Sequence, residues 1–181
     1  MVLGVEKVPF SNWLPFLEEL SIDNGGASGT LGVEEKARSI QTKKHAFAPL
    51  ICYESIYGEF NAEQCRQGAE FIAVITNDGW WEDTPGYKQH MSFSRLRAIE
   101  NRKDVARSAN TGISCFINQR GDVIQQTKWW EPKALRGTLN KNNKLTFYTV
   151  RGDILGRTSM IAAFLLIGMW VVKAIQKRRK H

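Results

Sequence analysis

The chain has 181 residues, of which 43% are hydrophobic and 24% are charged, which suits one ordinary folded domain and excludes a disordered polar segment. Its formal charge of +7 could suggest nucleic-acid binding, but five positive charges lie in the last nine residues and leave +2 for the rest. We therefore expect no nucleic-acid partner. The three cysteines, Cys52, Cys65 and Cys115, form no CxxC pair, which argues against a disulfide framework and a zinc site.

Strands and helices are predicted to alternate along most of the chain. Residues 2–20 form a loop and a helix-like stretch broken by prolines, and a turn region follows at 24–29. Helices are predicted at 59–68 and 88–103, with a loop at 77–86 between them. Strands are predicted at 46–53, 70–76, 105–110, 113–118, 123–127, 135–139 and 145–150. This order indicates a layered α/β fold.

The last element is an uncharged apolar run from Thr158 to Val172, which reaches Gln176 if the Lys173 side chain extends to the membrane surface. Its length is close to the roughly 20 residues of a spanning helix. A buried core helix is the alternative, but the run is apolar all round and is followed by KRRK. We predict a domain at 1–156, a transmembrane helix at 157–176 and a basic tail at 177–181. The positive-inside rule places the tail in the cytoplasm and the domain on the other side.

One cysteine lies where a nucleophile would be well placed. Cys52 ends an apolar strand in the sequence PLICYE, next to a turn whose backbone N–H groups can face a developing oxyanion. Buried cysteines are also common as small core residues, so this position alone leaves both interpretations open.

A set of motifs spread along the chain is more specific. Together they resemble the nitrilase, or carbon–nitrogen hydrolase, superfamily, and their particular forms resemble its apolipoprotein N-acyltransferase branch. The motifs are GVEKVPF (4–10), ICYE (51–54), TNDGWW (76–81), QH (89–90), RAIENR (97–102) and RSANTGIS (107–114). The resemblance covers nearly the whole chain and includes the final apolar helix, which soluble nitrilases lack.

The resemblance implies an incomplete nitrilase-like α-β-β-α sandwich with a Glu–Lys–Cys triad, in which the glutamate takes the thiol proton and the lysine stabilises the oxyanion. It implies transfer of an acyl chain from a phospholipid, through a thioester, to the N-terminal amine of a diacylated apolipoprotein at a bacterial inner membrane. No metal or cofactor is implied. The nucleophile corresponds to Cys52, the supporting Tyr and Glu to Tyr53 and Glu54, and the family's second glutamate to Glu6.

Each supporting residue also has a plainer interpretation. Glu6 can be an exposed loop carboxylate, and Glu54 can equally be a partner for a backbone N–H. Asn77, Trp80 and Trp81 are predicted to line the substrate site, near the acyl chains or the bilayer surface. The alternative for these three is an exposed turn with two packing tryptophans.

Other candidate residues are assigned structural roles. We expect His90 to pack or to cap its helix, and Arg97 and Glu100 to form a salt bridge at i,i+3 spacing. Cys65 and Cys115 are expected in the core.

The match with the family is incomplete. The family's lysine would fall upstream of Met1, and its base glutamate further upstream still. With one member of the triad, we expect the 181 residues to be inactive alone, because such residues act as a unit. Two alternatives stay open: a nitrilase-type amidase that hydrolyses C–N bonds, and a non-catalytic membrane-anchored remnant.

Overall fold

The structure, a computed structural model, describes residues 36–178. Glu6, the predicted elements at 2–20 and 24–29 and the end of the tail lie outside the described residues. The described part is built on a six-stranded mixed sheet in the order β1-β2-β3-β4-β5-β6. The strands are β1 (Ile40–Gln41), β2 (Ala46–Ile51), β3 (Phe71–Thr76), β4 (Val105–Ala109), β5 (Cys115–Ile117) and β6 (Val123–Gln126).

The three central strands, β2, β3 and β4, are parallel, and the outer pairings are antiparallel. The helices are α1 (Gly58–Arg66), α2 (Pro85–Asn101), α3 (Phe147–Arg151) and α4 (Ile154–Arg178). A 3₁₀ turn at Cys52–Ile56 follows β2, and a second one at Asp78–Trp81 follows β3. Because α1 and α2 connect parallel strands, the carboxyl ends of β2, β3 and β4 lie at one edge of the sheet, where α/β proteins place their sites.

The core lies along the central strands, where branched side chains alternate in and out. Leu50, Ile72, Val74 and Val105 are essentially fully buried and belong to one apolar cluster. The strand β2 tolerates Pro49 because β1 is only two residues long and pairs with Ala46 and Phe47 alone. The core prediction for Cys65 and Cys115 is confirmed, since both are buried.

The long helix α2 has sequence signals at both ends. Thr84 is its N-cap and accepts a hydrogen bond from Gly86 N–H, and Pro85 takes the first helical position. Arg102 ends it in the left-handed conformation, with φ 51°. The predicted i,i+3 ion pair is present, with 2.9 Å between Arg97 Nη2 and Glu100 Oε1.

Two of the predicted strands are wrong. Residues 135–139 form no regular element, and the nearby backbone is held by distant groups: Asp104 accepts from Asn140 N–H, and Glu70 O accepts from Asn142 N–H. The second predicted strand, 145–150, is mostly the helix α3. The hydroxyl of Thr146 caps it by accepting from Thr149 N–H at 3.0 Å.

The helix α4 begins three residues before the predicted transmembrane boundary. Its segment Ile154–Lys177 contains an 18-residue stretch with a mean hydropathy of 1.9, and none of that stretch is buried. Within residues 36–178 it is the one helix long and apolar enough, by length and composition, to cross a membrane.

Candidate active site

Cys52 occupies a strained turn at the carboxyl end of β2. Its φ is 51°, in the left-handed region that a side chain with a Cβ enters at a cost of about 1–3 kcal/mol. The chain passes there directly from strand to 3₁₀ turn, and the free thiol is partly exposed. A sharp strand-to-helix turn of this kind presents a nucleophile at the edge of a sheet.

Side chains within the 3₁₀ turn stabilise this conformation. A carboxylate oxygen of Glu54 accepts from Ile51 N–H at 2.7 Å, on one side of Cys52. The buried Ser55 hydroxyl donates to the Cys52 carbonyl at 2.8 Å, on the other side. The carboxylate of Glu54 is therefore a partner for a backbone N–H, as one of its two predicted interpretations has it.

A buried cluster of charged and polar side chains lies behind the turn. The Nε2 atom of His90 is 3.2 Å from the Cys52 carbonyl oxygen, and its Nδ1 is 2.8 Å from Asp78 Oδ1. The second oxygen of Asp78 accepts from Arg107 Nη2 at 2.7 Å. Thr76 Oγ1 donates to Asp78 Oδ1 at 3.0 Å. The side chains of His90, Asp78 and Arg107 are at most 1% exposed.

The charge state of Asp78 follows from these neighbours. Burial alone would raise the pKa of Asp78, but the hydrogen bond from His90 and the positive charge of Arg107 hold this pKa below its ordinary value. The carboxylate is therefore ionised at neutral pH and forms a buried ion pair with the Arg107 guanidinium.

The sheet topology brings the cluster together. Cys52 follows β2, Asp78 follows β3, and Arg107 lies within β4. The loop after β4 approaches so closely that a Cβ on Gly112 would lie 2.1 Å from an oxygen of Asp78. A glycine is required there by this close approach.

The TNDGWW loop packs against the turn from the other side. The ring of Trp81 lies 6.1 Å from that of Tyr53, which also stacks on His90 at 5.5 Å. Trp80 is 42% exposed. The side-chain oxygen of Asn77 accepts from Gly79 N–H at 3.2 Å and so caps its own loop. The structure thus brings Tyr53 and Trp81 together beside Cys52.

The thiols of Cys65 and Cys115 lie in the core. Burial raises the pKa of Cys65 and of Cys115 to about 11 in each case. A thiol with so high a pKa is almost entirely protonated at neutral pH and is a poor nucleophile. Among the residues that the structure describes, Cys52 is the one cysteine that is not buried.

Lys103 does not supply the lysine of the implied triad. It is fully buried near Cys65, and burial lowers the pKa of its ammonium. Its Nζ donates to the carbonyl oxygens of Asn142 and Lys144, so it fastens the irregular segment before α3.

Sequence reasoning missed the buried cluster. It treated His90 as a packing or capping residue and gave Asp78 and Arg107 no role. The signal was a charged residue two positions after one buried strand and another inside the next, since buried charges in proteins are paired.

Comparison with known proteins identifies the family of this chain. The chain belongs to the carbon–nitrogen hydrolase family, whose model matches residues 6–143. It is 35% identical over 177 residues to an apolipoprotein N-acyltransferase of Chlorobaculum tepidum, covering 96% of this chain and 33% of the relative. It is 33% identical over 151 residues to the Haemophilus influenzae protein of the same name, covering 81% and 29%. The resemblance inferred from the motifs is confirmed, and the chain spans about a third of the length of these curated relatives.

A solved structure supports the fold assignment. A carbon–nitrogen hydrolase from Helicobacter pylori matches with a TM-score of 0.50 and 14% identity, over 56% of this chain and 42% of that one. At this identity the match shows the nitrilase fold alone.

Proposed function

We propose that this chain is part of a phospholipid–apolipoprotein N-acyltransferase, in which Cys52 carries the acyl group as a thioester. The observation that carries the proposal is the partly exposed thiol on a strained turn, with its carbonyl held by a buried charged cluster. The names of the relatives support acyl transfer to an amine of an apolipoprotein, and the phospholipid donor is what the resemblance implies.

The chemistry is a two-step exchange at one sulfur atom. The Cys52 thiolate attacks an ester carbonyl of a phospholipid, the C–O bond breaks, and the lysophospholipid leaves with the proton taken from the thiol. The N-terminal amine of a diacylated apolipoprotein then attacks the thioester, forms an amide and regenerates the thiol. In this proposal, backbone N–H groups at the turn stabilise the oxyanion of each step.

The other predicted site residues support the turn or contact the substrate in this proposal. Tyr53 and Glu54 shape the turn, and Glu6 contributes a carboxylate. Asn77, Trp80 and Trp81 border the acyl-chain site. The resemblance assigns the base glutamate and the oxyanion lysine to positions upstream of Met1, and we propose that full activity needs a polypeptide that supplies both.

We also propose that α4 spans a bacterial inner membrane, with the catalytic domain on the periplasmic side. An apolar helix followed by a basic tail supports this orientation. A phospholipid substrate would then be available beside the site.

A labelling experiment tests the function. The chain, and a version extended with the amino-terminal part of a relative named above, are incubated in detergent with fluorescent-acyl phosphatidylethanolamine and a diacylated lipopeptide. We expect the extended version alone to form a hydroxylamine-sensitive adduct and to acylate the lipopeptide. Cys52→Ala abolishes both results, and the matched Cys115→Ala retains them.

The other outcomes point elsewhere. Cleavage of amide substrates, with no acylation of the lipopeptide, would favour the amidase that hydrolyses C–N bonds. No adduct with either version would leave the non-catalytic remnant as the better interpretation.

A further inference from the structure

The short helix α3 exposes apolar side chains and buries a polar one, the reverse of a helix on a water-soluble domain. Its inward residue Thr149 is fully buried, whereas Phe147 is 74% exposed and Val150 is 52% exposed. Helices on soluble domains turn their apolar side toward the core. Here the polar side faces inward and the apolar side faces outward.

Polar contacts hold the inner side of α3 in place. The Thr149 hydroxyl donates to Asn101 Oδ1 at 2.9 Å, and Arg66 Nη1 donates to the Thr149 carbonyl at 2.6 Å. The Thr146 hydroxyl donates to the Glu100 carbonyl at 2.5 Å. A five-residue helix is not stable alone, so these bonds fix which of its sides faces out.

The helix α3 comes immediately before the apolar helix α4 in the chain. Only Gly152 and Asp153 separate the two helices. One Glu59 carboxylate oxygen accepts from Asp153 N–H at 2.9 Å and from Arg157 Nη2 at 2.6 Å, which ties the start of α4 to α1. Leu155, in the first turn of α4, is 77% exposed.

Aromatic and basic side chains surround this junction. An open cleft of ≈ 390 Å³ is lined by, among others, Tyr57, Tyr148 and Met160. Tyr57 is 65% exposed, and Arg151 at the end of α3 is exposed. Tyrosines and basic residues are typical of the boundary between lipid and water.

From the inverted helix and its position beside α4, we infer that α3 lies in the surface of the bilayer that α4 crosses. Phe147 and Val150 enter the acyl boundary, and Arg151 faces the lipid headgroups. The inference rests on the proposed membrane anchoring. If α3 lies in the bilayer surface, the domain contacts the membrane at two points, α4 and α3. These two contacts fix the height and the tilt of the domain relative to the bilayer.

Spin labelling in vesicles of phosphatidylethanolamine and phosphatidylglycerol tests the inference. Single cysteines replace Phe147, Val150, Leu165 or Ile124 in a Cys52→Ala background, where the buried thiols stay unlabelled. Leu165 reports insertion of α4, and Ile124, 67% exposed on β6, is the aqueous control. Collision of the label with oxygen and with a nickel chelate is then compared at each position.

We expect oxygen collisions to exceed nickel collisions at 147, 150 and 165, and the reverse at 124. If the label at 165 is in lipid while the labels at 147 and 150 collide more with nickel, like the label at 124, the inference about α3 fails and the proposed anchoring by α4 stands. If 147 and 150 are immobile and reached by neither reagent, protein covers α3 and the inference also fails. If 165 itself is in water, the proposed anchoring fails, and the inference fails with it.

Discussion

Replacing Asp78 with asparagine tests whether the buried cluster stabilises the domain. The Asp78 carboxylate accepts hydrogen bonds from the side chains of Thr76, His90 and Arg107. A carboxamide has a single oxygen, so its NH₂ group must face at least one of these donors. The substitution therefore removes the negative charge. It also places the NH₂ group of asparagine opposite another hydrogen-bond donor, with no acceptor between them.

Asp78→Asn is expected to lower the free energy of unfolding strongly, although the two side chains have almost the same shape. Removing one partner of a buried ion pair costs about 3–5 kcal/mol, because the other charge stays buried without compensation. Arg107 would be that charge, since its side chain is fully buried. Loss of a single charge-assisted hydrogen bond would account for only about 1.5–3 kcal/mol.

Thiol labelling during urea titration measures this cost. In a Cys52→Ala background, Cys65 and Cys115 react only when the core opens, so their labelling reports the free energy of unfolding. The matched control is Asp122→Asn, whose carboxylate pairs with Arg120 on the surface at 3.0 Å. Exposed pairs contribute little, so the control should unfold close to the parent.

Acidification gives a second test of the same carboxylate. The pKa of Asp78 is lower in the folded chain than its ordinary value of 3.8, so its contribution is fully present above that value. It is lost as the pH falls through the folded pKa. The parent should lose stability below about pH 4, and Asp78→Asn should lack this part of the loss. The role of the buried cluster is refuted if Asp78→Asn unfolds at the same urea concentration as Asp122→Asn. It is also refuted if the stability of Asp78→Asn falls in acid as much as that of the parent.

Two further substitutions probe the packing around the turn. Gly112→Ala should destabilise the chain by about 1–3 kcal/mol in the same titration, because the new Cβ would overlap the Asp78 carboxylate. Gly168→Ala, with open space around it, is the control, and an equal effect of both would contradict this explanation. Glu54→Ala leaves Ile51 N–H without its acceptor and should lower the free energy of unfolding by about 0.5–2 kcal/mol, and it should change the rate at which Cys52 is alkylated. Glu54→Gln keeps an acceptor oxygen and should stay nearer the parent; identical behaviour of the two variants would refute the role of that bond.

The central strands were predictable from local patterns. The stretches 46–51 and 71–76 are apolar, and both end at motif residues, so Cys52 could be placed at a strand end before any coordinates. The helix α2 was predictable from its length, and its start carries Thr84 and Pro85. In these segments local preference and tertiary packing agree.

The wrong elements depend on contacts between residues far apart in sequence. The alternating pattern of residues 145–150 indicates a strand, but Thr146 caps a helix there and bonds to the carbonyl of Glu100. The segment 135–139 is followed by anchors at Asn140 and Asn142, to Asp104 and Lys103, which no local pattern reveals. Such long-range side-chain contacts are decided by the fold.

The buried cluster behind Cys52 was hidden for a similar reason. A sequence shows that Asp78 and Arg107 are charged and that His90 lies on a helix, but not that sheet register brings all three to one point. The positive φ of Cys52 was equally invisible, because a cysteine carries no intrinsic preference for it.

The burial of two of the three thiols bears on how the domain would tolerate oxidants. In the proposed periplasmic location, the domain works in a compartment that oxidises cysteines, where exposed thiols form unwanted disulfides and sulfenic acids. Cys65 and Cys115 are closed off by the core and remain protonated. Oxidative inactivation of the folded domain would then fall first on Cys52, and a reductant would restore the chain as long as oxidation stopped at sulfenic acid or disulfide.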